Sequence, residues 1–345
     1  MSRRFHAVFW LALICCLLLS GCGKKENGQE AVLQSKDERI QIGITFDSFV
    51  IERWQRDRDV FVSAAQELGA GVNIQNANGD LKEQIAQIHY FVQKKVDVIV
   101  IVANNSDGLT EAVDKAHRAG IPVIAYDRLI KNANVDLYIS FDSEQVGSLM
   151  AGHMKEHLSE GSSILQICGP LADNNVSCIM NGFTEGLEDY DIKVALIEYA
   201  EGWLAETGFT VTSSYIGAHP APGGIMCGND DIAGQAVRAL SERRMAGDVC
   251  VVGQDADLAA CQRIVEGTQC MTVYKPVEKL ARRAAELAVQ LAEGIDICTT
   301  DRMDDGIWEI PYERLEPIAV TKENMDQVIT GKYHEESDIY LNVKR

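Results

Sequence analysis

The chain contains 345 residues with a formal net charge of −19, and 46% of its residues are hydrophobic. This length is enough for two domains of ordinary size, and the acidic charge argues against nucleic acid as a partner because it repels a phosphate backbone. The ten cysteines include no CxxC pair, which argues against a zinc or redox motif and favours buried thiols.

The N-terminal segment predicts export. Residues 1–21 begin with Arg3 and Arg4, continue with an apolar stretch and end in small residues before Cys22. The apolar stretch is short for a spanning helix and typical of a secretion signal. "LSGC" resembles the lipobox of bacterial lipoproteins, in which the cysteine is acylated. We therefore predict a lipoprotein signal peptide and a lipid anchor on Cys22 at the outer face of the cytoplasmic membrane, or on the periplasmic side of a two-membrane envelope. An uncleaved membrane anchor is the alternative.

Residues 22–38 are polar and lack aromatic side chains, a composition that predicts a flexible tether. Strand and helix patterns then alternate. The runs "QIGITF", "VNIQNAN", "VDVIVIVAN" and "IPVIAYD" have the apolar content of strands. Between them, segments such as "KEQIAQIHYFVQKK" carry apolar residues at helical spacing. This alternation is typical of a parallel sheet covered by helices.

The same alternation begins again further along the chain. "SSILQICG", "IKVALIEYA", "GIMCGND" and "DVCVVGQDAD" have the character of strands, with helical segments such as "DIAGQAVRALSERR" between them. Two such sets predict an α/β protein with two similar lobes, each a doubly wound parallel sheet, rather than one large sheet.

Polar residues stand where the predicted strands end. In doubly wound sheets, ligands bind outside the carboxyl ends of the strands. Any one of these residues could be a loop cap. As a set they suit the vicinal hydroxyls of a sugar, because Asp, Asn and Arg side chains can form bidentate hydrogen bonds with neighbouring hydroxyls. The residues at these ends are Asp47, Asn104, Asp127, Arg128, Asn229, Asp230, Asp255 and Asp257.

Two tryptophans stand at strand-to-helix junctions. An indole face can pack against the C–H surface of a sugar ring or against the protein core. We assign ligand contact to Trp203 rather than Trp54, because Val60 and Phe61 mark the helix of Trp54 as facing the core.

Several motifs carry a resemblance to a known family. "IERWQRDRDVF", "AYDRLI", "YISFD", "DNN", "GW", "GQDADLA" and "TVYKP" resemble, in order and spacing, the D-xylose-binding branch of the periplasmic sugar-binding family. The similarity runs from about Ile42 to the C-terminal region. It implies a type I periplasmic binding protein whose two lobes, joined by three crossovers, close on one sugar and deliver it to an ABC permease with its ATPase.

The resemblance also implies domain limits and site residues. One lobe would comprise residues 39–142 and 276–305, and the other residues 143–275 and 306–345. The crossovers would lie near Phe141 to Ser143, near Tyr274 to Pro276 and near Gly306. The implied ligand-binding residues are Arg53, Asp127, Arg128, Asn175, Trp203, Asn229, Asp255 and Lys275. Where the family usually has an arginine, this chain has Met180, and a thioether cannot donate to a hydroxyl. A cofactor or a metal is not expected.

Three other functions are compatible with parts of the sequence: a transcriptional repressor, an enzyme and a sugar sensor. A transcriptional repressor of this fold needs a DNA-binding headpiece, and residues 1–38 indicate a signal and a tether instead. An enzyme is suggested by "HMKEH" (residues 153–157), which matches the H-x-x-E-H pattern of inverted zincins, but its surroundings are typical of an ordinary amphipathic helix. A monomeric sensor that presents sugar to a membrane histidine kinase stays open, as does another aldose, such as glucose or ribose, in place of D-xylose.

Overall fold

The computed structural model describes residues 39–343, and from Arg39 onward the chain forms one compact unit. The predicted signal peptide, tether and lipidated Cys22 lie outside the described residues. Among the helices of residues 39–343, none has the length and apolar character needed to span a bilayer.

Thirteen strands and eleven α-helices make up the described range. The strands are β1 (Gln41–Phe46), β2 (Gly71–Asn76), β3 (Val98–Ile101), β4 (Val123–Tyr126), β5 (Leu137–Phe141), β6 (Ser163–Cys168), β7 (Lys193–Tyr199), β8 (Gly224–Cys227), β9 (Cys250–Gln254), β10 (Met271–Tyr274), β11 (Asp301–Asp304), β12 (Glu309–Leu315) and β13 (Ile318–Val320). The helices are α1 (Arg53–Glu67), α2 (Leu81–Lys94), α3 (Thr110–Arg118), α4 (Ser143–His157), α5 (Asn174–Leu187), α6 (Glu206–Ala218), α7 (Asp230–Glu242), α8 (Leu258–Glu266), α9 (Val277–Ala292), α10 (Met325–Val328) and α11 (Glu336–Ile339), with a 3₁₀ turn at Glu201–Trp203.

The first sheet has the strand order β11-β12-β5-β4-β3-β1-β2, and only the β11–β12 pair is antiparallel. Its central strands are runs of Val and Ile because helices cover both faces. Val100 of β3 packs on the side of α1 and α9, whereas Ile99 and Ile101 pack on the side of α2 and α3.

The second sheet has the order β13-β10-β9-β8-β6-β7, with β13 antiparallel to β10. Helix α4 packs with α5 and against β9 and β10, while α7 packs with α6 and against β8 and β9. The predicted fold, two parallel-sheet α/β lobes, is confirmed.

The chain passes between the two sheets three times, after Phe141, after Tyr274 and between Leu315 and Ile318. The prediction of a crossover near Gly306 was wrong. Gly306, with φ +107°, lies in the turn between β11 and β12, and Leu315 of β12 still pairs with Phe141 in the first sheet. The positive φ of Gly306 instead serves a tight hairpin turn, a conformation that glycine adopts without strain.

Candidate functional site

The cleft between the lobes lies where strands of both sheets end. Asp127 follows β4, Asp255 follows β9 and Lys275 follows β10. The first lobe contributes Ile51, Arg53, Trp54, Asp127, Arg128, Ser140 and Phe141 to the cavity, and the rest of the lining is Ser143, Asp173, Asn175, Ile179, Trp203, Gln254, Asp255 and Lys275. Charged residues at such a site must be paired, because none of the predicted ligand-binding residues is more than 9% exposed.

Arg53 is fixed at the start of α1 by two carboxylates. Its Nε and Nη2 donate to Asp57, one helical turn away, each at 3.2 Å, and Nη2 also donates to Asp127 Oδ2 at 2.8 Å. The Tyr126 hydroxyl donates a hydrogen bond to Asp57 Oδ1. Burial alone would lower the pKa of Arg53, but nearby carboxylates, Asp127 first, raise it well above its ordinary value. The guanidinium is therefore a permanent, oriented cation.

Asp127 adopts a backbone conformation that a non-glycine residue rarely takes, with φ +64°. Its carbonyl oxygen accepts from Ser140 Oγ at 2.7 Å and from Asn175 Nδ2 at 2.9 Å. Burial alone would raise the pKa of Asp127, but its cationic neighbours, Arg53 first, hold that pKa below its ordinary value. Strained backbone held by surrounding bonds is characteristic of functional sites, and here it aims an ionised carboxylate into the cleft.

Arg128 connects the two lobes. Its Nη1 lies 2.6 Å from Asp47 Oδ2 of the first lobe, and its Nε lies 2.7 Å from Asp173 Oδ2 of the second. Nη1 also donates to the carbonyl oxygen of Ala103 at 3.1 Å. The adjacent charges that end the "IPVIAYDRLI" strand are thus bound in separate networks, Asp127 to Arg53 and Arg128 to Asp47 and Asp173.

The second lobe provides an ion pair and several unpartnered polar atoms. Lys275 Nζ lies 2.7 Å from Asp255 Oδ1, and Asp255 has φ +100°. Apart from the ion-paired Asp255 Oδ1, four buried atoms of described cleft-lining residues have no hydrogen-bond partner: Trp203 Nε1 and Gln254 Oε1 in this lobe, and Arg53 Nη1 and Trp54 Nε1 in the first. Buried polar groups are normally paired, so this cluster has the capacity to bind a polar ligand.

Trp203 has a strained backbone conformation, and its indole packs closely against Gly169. Trp203 has φ +60°, and a Cβ on Gly169 would lie 2.3 Å from its ring. Trp54 also lines the cavity and lies beneath the guanidinium of Arg53, 4.4 Å from the ring centroid. The sequence predicts that Trp54 faces the core, and the structure places it in both the core and the cleft lining.

Seven of the eight predicted ligand-binding residues line the cavity, and Asn229 is the exception. Asn229 caps α7, where its Oδ1 accepts from Ile232 N at 3.0 Å. Met180, the departure from the family pattern, does not line the cavity, and lines a smaller pocket together with Trp203. His153 and His157 of "HMKEH" lie on α4, and neither lines the cleft.

Asp57, Asp173, Ser140 and Gln254 were not singled out from the sequence. Asp173 is the N-cap of α5, where its Oδ1 accepts from Asn175 N, so its pattern in sequence is that of an ordinary capping residue. Asp57 had one usable signal, its i, i+4 spacing from Arg53 on a helix.

The chain matches known proteins over most of its length. A model of the periplasmic binding protein domain covers residues 42–296. A D-xylose-binding periplasmic protein of Haemophilus influenzae is 41% identical over 312 residues, 89% of this chain and 93% of the relative. The chain belongs to the type I periplasmic sugar-binding family. The predicted family is therefore confirmed.

Other members of the family extend the comparison. A D-xylose-binding periplasmic protein of Escherichia coli is 39% identical over 308 residues, 88% of this chain and 93% of that protein. An ABC transporter solute-binding protein of Clostridium phytofermentans, solved with bound β-D-glucose, superposes with a TM-score of 0.80 over 87% of this chain and 99% of that one. Its sequence identity of 24% makes it evidence for the fold alone.

Proposed function

We propose that this protein is an exported receptor that binds one monosaccharide, D-xylose, in the cleft and delivers it to an ABC importer. The observation that carries the proposal is the strained, charge-paired group around Asp127, which faces unpartnered donors and acceptors on the second lobe. Carboxylates and guanidinium groups fixed in this way are suited to accept from and donate to hydroxyls.

The charge arrangement favours a neutral ligand. Arg53 contacts Asp57 and Asp127 and lies 3.9 Å from Asp255, Arg128 contacts two carboxylates, and Lys275 contacts Asp255. An anionic ligand would have to compete with these carboxylates at every cation. A sugar hydroxyl, in contrast, can accept from a cation and donate to its carboxylate partner without disrupting the pair.

D-xylose is the sugar that the relatives favour, since the two proteins at 41% and 39% identity are named for it. A pentopyranose lacks the exocyclic CH2OH of glucose. We infer that a cleft lined by Phe141, Ile179 and Trp203 closes on the ring carbons and leaves no room for that group. D-ribose would bind less tightly because one of its hydroxyls points the other way.

Isothermal titration calorimetry tests the ligand assignment. The chain without residues 1–22, which keeps the whole compact unit from Arg39, would be titrated with D-xylose, D-glucose and D-ribose. We expect D-xylose to bind tightest. Glucose or ribose binding at least as tightly would contradict the pentose assignment, and an absence of heat with all three sugars would contradict the receptor proposal.

The lipid anchor on Cys22 is part of the same proposal, and it rests on the "LSGC" sequence. A Cys22→Ala chain should accumulate as an unprocessed precursor or be released rather than remain attached to the membrane. Labelling with an alkyne fatty acid measures this directly, and a Cys22→Ala protein labelled and retained like the wild type would contradict it.

Crosslinking in membranes should recover a permease and its ATPase with the monomeric receptor. Recovery of a histidine kinase instead would identify a sensor.

A further inference from the structure

A second cluster of reactive side chains lies far from the cleft. Cys250 is the first residue of β9, and Cys270 immediately precedes β10. The cleft lies at the carboxyl ends of these parallel strands, so both cysteines lie at the opposite, amino ends of the strands. His153 comes from α4, which packs against β9 and β10.

The three side chains converge. One potential ligand atom from each of His153, Cys250 and Cys270 lies within 4.8 Å of the other two. Both thiols are free, and His153 Nε2 is buried with no hydrogen-bond partner within the described residues. Two sulfurs and one imidazole nitrogen thus share a site at the margin of the second lobe.

This donor set has a clear chemical preference. Thiolate and imidazole are ligands for zinc and other thiophilic ions, whereas calcium and magnesium require oxygen ligands. Zinc–sulfur bonds of about 2.3 Å and zinc–nitrogen bonds of about 2.0 Å place neighbouring ligand atoms roughly 3.5–3.8 Å apart in a tetrahedron. Small side-chain rotations would bring the three atoms to those separations, and water would fill the fourth position.

We propose that His153, Cys250 and Cys270 form a binding site for a thiophilic metal ion, Zn²⁺ in the first instance, that is independent of the sugar cleft. No spacing pattern in the sequence indicates this site, because the ligands come from one helix and from two strands that are neighbours only in the folded sheet. Binding of Zn²⁺ would release the thiol protons and requires no redox step.

A neighbouring group competes for the assignment. His153, Glu156 and His157 also lie within 4.8 Å of one another, in keeping with the "HMKEH" pattern. Glu156 and His157 are exposed, and His157 Nδ1 is already paired with the His153 carbonyl oxygen at 2.8 Å. The thiols of buried Cys250 and half-buried Cys270 are the better ligands, and matched variants separate the two groups.

The test uses the chain without residues 1–22, reduced and kept under nitrogen, with Zn²⁺ and Co²⁺ as the probes. Competition with a chromophoric chelator should show one Zn²⁺ per chain, and Co²⁺ should give the charge-transfer absorption of thiolate ligation. Cys270→Ser and His153→Gln should each weaken Zn²⁺ binding by at least ~10–100-fold. Cys298→Ser, which changes an exposed cysteine outside the cluster, and His157→Gln should leave it unchanged.

Retained D-xylose binding shows that each variant is folded. If Cys270→Ser is unfolded, His153→Gln still tests the Zn²⁺ site, because it changes a residue of α4 and leaves the strands of the sheet intact. The proposal is overturned if the wild type binds no stoichiometric Zn²⁺, or if Co²⁺ shows no thiolate band. It is equally overturned if His157→Gln abolishes binding while Cys270→Ser retains it, because the ion would then occupy the exposed helix face.

Discussion

The two lobes contribute to the cleft in different ways. In the first lobe, Arg53 is held by Asp57 and Asp127, and Arg128 by Asp47, all within the same lobe. The second lobe instead contributes side chains that reach across to the first lobe, Asp173 to Arg128 and Asn175 to Asp127, while unpartnered polar atoms occur in both lobes.

This difference assigns the lobes separate tasks. The first lobe carries a preorganised surface, so little ordering is needed when a sugar arrives. The second lobe completes the site, because Asp173 reaches Arg128, and Asn175 reaches the carbonyl oxygen of Asp127, only when the lobes are together. A bound sugar would add its own bonds to this closed arrangement, as hinge closure around a ligand requires.

The largest expected effect comes from breaking the preorganised surface. Asp127→Ala removes a ligand partner and leaves the buried Arg53 without its shortest carboxylate contact, at 2.8 Å. Hydrogen bonds to charged groups contribute about 1.5–3 kcal/mol, so D-xylose affinity should fall by roughly tenfold to more than a hundredfold. Calorimetry measures this. Asp107→Ala, at an exposed carboxylate paired with Lys131 at 3.7 Å, is the matched control and should bind normally.

A smaller effect is expected from moving the second lobe's aromatic face. Gly169→Ala places a methyl group against the Trp203 ring and should displace the indole, weakening D-xylose binding by ~3–10-fold. Gly152→Ala, where nothing lies within 4 Å of the added carbon, should bind as the wild type does. Equal affinities for the two variants would show that Trp203 does not contact the sugar.

Arg128 offers a still finer comparison, because one of its carboxylate partners lies in each lobe. Asp173→Asn removes the interlobe charge pair but keeps an oxygen for the α5 cap. It should speed D-xylose release by ~2–5-fold, because it favours the open form. Asp47→Asn weakens a pair within one lobe and should leave the release rate closer to wild type. Stopped-flow tryptophan fluorescence measures both rates, and a faster release from Asp47→Asn than from Asp173→Asn would contradict the division of tasks.

A separate effect, on stability rather than on sugar binding, concerns pH. Burial raises the pKa of Asp230 to about 7, and burial with Asp230 raises that of Asp257. A carboxyl group whose pKa is higher in the folded state stabilises the fold fully below about pH 4 and loses that contribution as pH rises through about 7. The free energy of unfolding should therefore fall by on the order of 1–4 kcal/mol between about pH 5 and about pH 8.

Chemical denaturation of the sugar-free protein at several pH values measures this slope. Asp230→Asn should flatten it, whereas Asp248→Asn, at an exposed position, should not. A slope that is unchanged in Asp230→Asn would mean that Asp230 stays ionised in the folded state.

The sequence predicted the parts of the molecule that follow from local patterns. Buried runs such as "VIVI" and "VIAY" became central strands, and the rule that ligands bind at strand ends located Asp127, Arg128 and Asp255. Asp173 was missed because its sequence context is that of a helix cap, and its reach to Arg128 exists only across the cleft. The third crossover was misplaced because the resemblance implied a position near Gly306, whereas strand pairing keeps the chain in the first sheet through Leu315.

Small-angle X-ray scattering tests the central claim, that the two lobes close on a sugar, most directly. The chain without residues 1–22 would be measured with and without saturating D-xylose, alongside Asp127→Ala at the same sugar concentration. The account predicts a smaller radius of gyration for the wild type when D-xylose is present, and little or no change for Asp127→Ala at a concentration too low to saturate it. An identical radius of gyration for the wild type with and without sugar, with calorimetry proving that the site is filled, would contradict it.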